Sequence, residues 1–178
     1  AVARLHSSIA NPFFGVGVQS DLMNSDINAL YASQPDLIMG DRDYYLKNDK
    51  RNKEVREAYQ NLIVRQMMNA GYKKSVAKRI MRNVMKIETA IADSTWTREQ
   101  SRNIPAMYNP RSFAQLKEMY PNINWDRFFI ETMGIESPEQ VIVTEINTVK
   151  KANDLMGSLT DREIKDYYLW KYVAQAAG

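Results

Sequence analysis

Apolar residues return at intervals of three and four through two long stretches of the chain. Between Arg51 and Tyr72, the residues Val55, Tyr59, Leu62, Ile63, Met67 and Ala70 share one face of a 3.6-residue repeat. That pattern predicts an amphipathic helix stopped by Gly71. From Ser75 to Asp93, Val76, Ile80, Val84, Ile87 and Ile91 predict a second helix, expected to pack antiparallel to the first. Asn109-Pro110 sets a capping side chain before a proline whose fixed φ suits a first helical turn. A helix through Phe113, Leu116 and Tyr120 is therefore expected to start there and end at Pro121. Trp125, Phe128, Phe129 and Met133 give a short apolar face before Gly134, and Asn147 to Gly157 again reads as helix. Thr160 and Glu163 fit a capping box opening a last helix, with Ile164, Tyr167, Tyr168 and Tyr172 on its inner face.

Strand patterning is scarcer. Gly15 to Ser20 (GVGVQS) and Asn28 to Ser33 (NALYAS) flank a turn-rich DLMNSD that suits a hairpin, and Gln140 to Glu145 (QVIVTE) has strand-like β-branched density. The expected fold is mainly α, with a small antiparallel β-sheet of two or three short strands. With 178 residues, 44% of them hydrophobic, a single domain over residues 1–178 is expected.

Charge narrows the partners only a little: 24 basic against 21 acidic residues leave a net +3, which demands neither nucleic acid nor an anionic membrane. The absence of cysteine removes disulfides, thiolate zinc sites and cysteine nucleophiles, but leaves the compartment open. No apolar run approaches the roughly 20 residues of a membrane-spanning helix, and the first residues lack the charged-then-apolar order of an export signal.

Candidate chemistry is sparse. His6 is the only histidine, so no His-x-x-x-His zinc pair exists, and an exposed polar residue is preferred to a triad member. Asp21, Asp26, Asp36, Asp41 and Asp43 miss the spacing of a calcium loop and read as turn-formers. Gly15-Val16-Gly17 lacks the third glycine and the strand-to-helix setting of a phosphate cradle. Lys74, Lys78, Arg82 and Lys86 line one helix face; a solvated surface is preferred to a nucleic-acid contact, because no aromatic residues interleave to stack bases. Glu88 lies beside Val84, Ile87 and Ile91 and so needs a partner, for which Arg98 and Arg102 are nearest downstream. An ion pair orienting the connection is preferred to a catalytic acid, since no second carboxylate sits at a defined spacing. Trp96, Trp125 and Trp170 read as core aromatics.

One combination is more specific. In order along the chain stand VGVQSD, SQPDLIMGDRDYYL, KIETAIA, SRN, MYNPRSFAQL, NINWDRFF, QVIVTE and YYLWKYV. This succession, from about Gly15 to Val173, resembles the N-terminal region of the neprilysin and endothelin-converting enzyme family of zinc metallopeptidases. The resemblance implies a helical cap lobe that faces a thermolysin-like catalytic lobe of the same polypeptide and encloses a chamber admitting oligopeptides. It implies zinc in the parent enzyme, bound by that other lobe, and no catalytic or metal-binding residue in this chain, which has no HExxH. On the same reading Gln34-Pro35 turns the chain, and Asp41, Arg42, Asp43, Tyr44 and Tyr45 form a packed polar knot in which the arginine bonds the aspartates and the tyrosines bury their rings. The absence of cysteine resembles bacterial members, which implies an extracytoplasmic address. The chain is expected to be a fragment supplying chamber wall and size filter, with no nucleic-acid partner. The alternative is a non-catalytic helical module that binds peptide or nucleic acid.

Overall fold

The computed structural model describes residues 13–177; His6 lies outside them. In chain order it contains β1 (Gly15–Asp21), β2 (Asn24–Ser33), α1 (Arg42–Leu46), α2 (Lys50–Asn69) and α3 (Lys74–Ser94), followed by short 3-10 turns at Gln100–Arg102 and Ile104–Met107. Then come β3 (Asn109–Ser112), α4 (Phe113–Met119), α5 (Trp125–Met133), β4 (Gln140–Val143), α6 (Ile146–Ser158) and α7 (Asp161–Ala177). The chain divides into two compact units. One comprises the segment ending at Asp36 with Ser94–Gly157; the other comprises Leu37–Asp93 with the segment beginning at Ser158.

The first unit holds the sheet, in the order β1-β2-β4-β3. β1 and β2 pair antiparallel from Gly15↔Ser33 to Asp21↔Asn24, with a shift between Ser20 and Asp21. β2 runs parallel to β4 through Tyr31↔Ile142 and Ala32↔Val143, and β3 closes the other edge antiparallel to β4. A mainly helical fold with a small sheet matches expectation, but the sheet has four strands and one parallel pair. The fourth strand was hidden in Asn109-Pro110, expected to open a helix. Proline biases the residue before it toward extended backbone and is tolerated on an edge strand. Asn109 therefore pairs with Val143, its Nδ2 donating to the carbonyls of Ala106 and Val143. The helix starts later. Ser112 Oγ accepts from Gln115 N while the Gln115 side chain accepts from Ser112 N, a complete capping box.

Behind the sheet lies an aromatic core. Trp125 meets Phe14 at 5.1 Å between ring centroids and stacks on Phe129 at 6.2 Å, and its Nε1 donates to the Tyr120 carbonyl. Val141, Ile142 and Val143 of β4 are fully buried. After the exposed Gln140, β4 is apolar at every position and buried on both faces. Gly134, at φ 67°, ends α5 in the left-handed conformation that suits glycine at a helix terminus.

The second unit is helical. Tyr59, Ile63 and Met67 bury one stripe of α2, and Ala77, Ile80, Val84, Ile87 and Ile91 bury one of α3. The Thr160–Glu163 capping box opens α7 as the sequence suggests. The inner face of α7 is rotated from expectation: Tyr167, Tyr168 and Trp170 are buried with Asp166, while Tyr172 is 55% exposed. Asp166 sets the rotation. Its carboxylate receives Arg79 Nε at 2.9 Å, Arg79 Nη2 at 3.1 Å and Asn83 Nδ2 at 2.8 Å. Trp170, one turn on, shares that face, and Tyr172 turns outward.

Replacing Ser112 by alanine should lower stability by about 1 kcal/mol, the usual loss for a helix cap. Urea unfolding of the purified chain measures it; an unchanged midpoint would mean the box contributes nothing.

Candidate functional site

The residues singled out around Asp41 to Tyr45 do meet Glu88, but not by the expected route. Asp41 caps α1, its Oδ1 accepting from Asp43 N at 2.9 Å. Asp43 pairs with Lys47 at 3.1 Å on the surface, a contact worth little in water. Arg42, expected to bond the neighbouring aspartates, reaches the end of α3: its Nε donates to the Ala92 carbonyl at 3.3 Å and its Nη2 to the Asp93 carbonyl at 3.5 Å. Those carbonyls have no partner within the helix, and a cation at a helix C-terminus also meets the negative end of its dipole. Two aspartates one residue away along a short helix cannot compete with that receptor. The Tyr44 carbonyl accepts from Arg56 Nε at 2.8 Å, tying α1 to α2.

Tyr45 carries the segment inward. It is buried, and its hydroxyl donates to Glu88 Oε1 at 2.9 Å. Tyr59 from α2 donates to the same oxygen at 2.7 Å, and Tyr167 from α7 donates to Oε2 at 3.0 Å. Lys171 Nζ stands 4.0 Å from Oε2. The partner of Glu88 is thus a cage of three tyrosines and a lysine, where an arginine was expected. The long side chains from α1, α2 and α7 converge on a position that sequence proximity could not suggest. The periodicity had placed Tyr59 and Tyr167 on inner faces, but only the packed helices show that their hydroxyls meet.

Directions within the cage are fixed. Tyr59 Oη accepts from Trp170 Nε1 at 3.0 Å, and Tyr45 Oη accepts from Met39 N at 3.3 Å. An N–H donates to each of these two hydroxyls and cannot accept in return, so both turn their protons onto Glu88. A proton on Oε1 would face two others. Burial is the strongest influence on Glu88 and pushes its carboxyl above the usual range, against the opposing pull of Lys171 and the three hydroxyls. Burial also drives the hydroxyls of Tyr45, Tyr59 and Tyr167 far up, so they remain protonated donors. Both oxygens of Glu88 are occupied by groups of this chain, and the carboxylate is fully buried. The cage can hold four helices in register; it offers no open face to a substrate.

The remaining candidates lie apart. Gln34 Oε1 accepts from Thr144 Oγ1 at 3.2 Å, anchoring the turn after β2 to the end of β4. Arg102 is exposed in a 3-10 turn. In the basic stripe Lys86 pairs with Glu163, while Lys74 and Lys78 line an open cleft of about 470 Å³ with Arg65 and Met68. The first unit has its own buried acid, Glu145, whose Oε1 accepts from Trp96 N at 2.8 Å and from Thr148 Oγ1 at 3.1 Å. Among the described residues no three His, Cys, Asp or Glu side chains come together to hold a metal ion. These residues therefore do not fit a catalytic zinc.

Glu88→Leu should cost roughly 3–5 kcal/mol, because it strips the shared acceptor from buried donors. Glu88→Gln should cost about 1–2 kcal/mol, since its carbonyl can still receive Tyr45 and Tyr59 while its amide faces Lys171. The raised pKa sets a sign: the folded chain binds this proton more tightly than the unfolded chain. The stability contribution is therefore full below the ordinary carboxylate range and is lost as pH rises through the folded value. Wild type should gain stability over Glu88→Gln as pH falls through that window; the difference between their denaturation curves measures it, and a constant difference would refute the sign.

The geometry describes scaffolding, and comparison with known proteins says of what. The model for Peptidase family M13, N-terminal part, matches residues 1–178. Endothelin-converting enzyme 1 of Rattus norvegicus is 28% identical over 172 residues, covering 94% of this chain and 22% of that protein. Membrane metallo-endopeptidase-like 1 of Mus musculus is 26% identical over 174 residues, covering 90% of this chain and 23% of that protein. The fold matches the Mycobacterium tuberculosis zinc metalloprotease Zmp1 in its open state with a TM-score of 0.84 and 22% identity, over 95% of this chain and 26% of that one. The chain spans between a fifth and a quarter of the length of the curated relatives it matches. A family match running the whole length of the sequence leaves one assignment: the chain belongs to Peptidase family M13, in its N-terminal region.

Proposed function

We propose that this chain is the cap-lobe part of a longer zinc-dependent metalloendopeptidase that cleaves oligopeptides, and that it supplies chamber wall and size filter. The reading rests on one conjunction. The family match covers residues 1–178, yet among the described residues no side-chain cluster can hold the metal. A peptidase-family chain whose described residues gather no metal ligands is intelligible as one part of a larger catalyst, and the chain's 22% share of endothelin-converting enzyme 1 supports that view. Zinc and the groups that activate water would be held elsewhere in the same polypeptide. What this chain contributes is rigidity: a caged carboxylate in one unit and an aromatic core in the other give walls that do not yield to a folded protein. An extracytoplasmic address in a bacterium goes with this reading; among the described residues no helix is long and apolar enough to cross a membrane.

The test compares two polypeptides on a fluorogenic oligopeptide. The longer polypeptide containing this region should release product and lose that activity with 1,10-phenanthroline, while the 178-residue chain supplied with zinc should release none. Chelator-sensitive hydrolysis that copurifies with the 178-residue chain itself would overturn the division of labour.

A further inference from the structure

β2 is paired along one edge but only at its end along the other. Toward β1 the register runs from Ser33 to Asn28 and resumes at Asn24, whereas toward β4 it consists of Tyr31↔Ile142 and Ala32↔Val143. The Ala32 carbonyl accepts from Thr144 N at 3.0 Å, so it points to the β4 side. Backbone groups alternate between the two edges of a strand. The N–H groups of Leu30 and Asn28 and the Asn28 carbonyl therefore point the same way, beyond the place where pairing with β4 stops. Ile27–Leu30 forms one wall of an open groove of about 670 Å³, and Ile135, Pro138, Glu139 and Gln140 contribute to the other.

An open strand edge of this kind is a template for another strand, and folded proteins usually blunt it with lysine, proline or a bulge. Ile27–Leu30 carries neither lysine nor proline; the irregularity of the hairpin leaves Ser25, Asp26 and Ile27 of β2 without partners on β1 and ends at Asn28, from which the register to Ser33 is regular. The groove also has a sign. Its charged lining residues are Asp21 and Glu139, with no basic residue. Asp21 is engaged by Met23 N and the Tyr108 hydroxyl, while Glu139 is exposed and makes no ion pair with a described residue.

We propose that the open edge of β2 docks an extended peptide segment as an added strand, with apolar side chains at alternate positions and a basic side chain toward Glu139. Backbone hydrogen bonds from Asn28 and Leu30 would supply affinity independent of sequence, and the groove would select alternate side chains. The proposal deepens the peptidase reading, on which it rests for the source of the peptide. It assigns this chain a peptide-docking surface of its own, where the chamber-wall role alone requires only shape.

The test is direct binding, which needs no hydrolysis. Fluorescein-labelled Ala-Val-Lys-Val-Arg-Ala is titrated with the 178-residue chain and followed by anisotropy, beside the same peptide N-methylated at alternate amides. Saturable binding is expected, about tenfold weaker for the methylated peptide, as the loss of one or two backbone hydrogen bonds implies. Asn28→Pro removes an outward N–H without touching the ladder to β1, and should weaken binding by a similar factor with an unchanged circular dichroism spectrum. Glu139→Lys should weaken it further and flatten its salt dependence. No saturable binding, binding indifferent to N-methylation, or self-association of the chain that excludes the probe would each overturn the proposal. Binding by this chain combined with an inactive longer polypeptide would overturn the peptidase reading and leave the docking edge standing; hydrolysis without binding here would do the reverse.

Discussion

A single buried carboxylate constrains the helical unit. Glu88 lies on the apolar stripe of α3, where an ionised group is costly unless its lone pairs are filled. Filling them requires Tyr45, Tyr59 and Tyr167 to arrive from three different helices, so the positions of α1, α2 and α7 are all tied to one point. An apolar residue there would pack against its neighbours in several nearly equivalent ways. Hydroxyls aimed by Trp170 and Met39 at particular oxygens accept one arrangement. Asp166 repeats the device a turn away, holding Arg79 and Asn83 and thereby fixing the rotation of α7.

The first unit solves a different problem. Its sheet must join the hairpin of β1 and β2 to a short central strand whose every residue after Gln140 is buried. β4 is brief, so its parallel pairing to β2 ends after Tyr31 and Ala32, and the rest of β2 extends past it. That brevity leaves the groove beside Ile27–Leu30 open. The docking edge is thus a consequence of one strand length.

What could be read from the sequence was whatever depends on local repetition. The stripes of α2 and α3, the Thr160–Glu163 capping box and the QVIVTE strand are properties of neighbouring residues. The box stands where expected, while the α2 stripe narrows to Tyr59, Ile63 and Met67 with Ala70 exposed, the α3 stripe takes Ala77 in place of Val76, and the strand ends at Val143. What could not be read depends on partners distant along the chain. β3 is a strand only because Val143 lies opposite Asn109, and Arg42 leaves its adjacent aspartates because the bare carbonyls of Ala92 and Asp93 are a better receptor. The need of Glu88 for a partner was legible from its place on an apolar face. The identity of that partner was not, since the tyrosines lie 43, 29 and 79 residues away.

The residues that drew attention as chemistry prove to be fasteners, and that outcome follows from where they stand. A catalytic carboxylate must keep a lone pair for its substrate and a path to it. Glu88 and Asp166 are fully buried and hold donors from this chain on both oxygens. Satisfied polar groups give shape, and unsatisfied ones give binding. The groups left unsatisfied at a concave surface are therefore the place to seek function, and in the first unit these are the outward backbone amides of β2 with the unpaired carboxylate of Glu139. Outward backbone amides beside an exposed carboxylate are the chemistry by which a strand edge takes up an extended peptide backbone with a basic side chain.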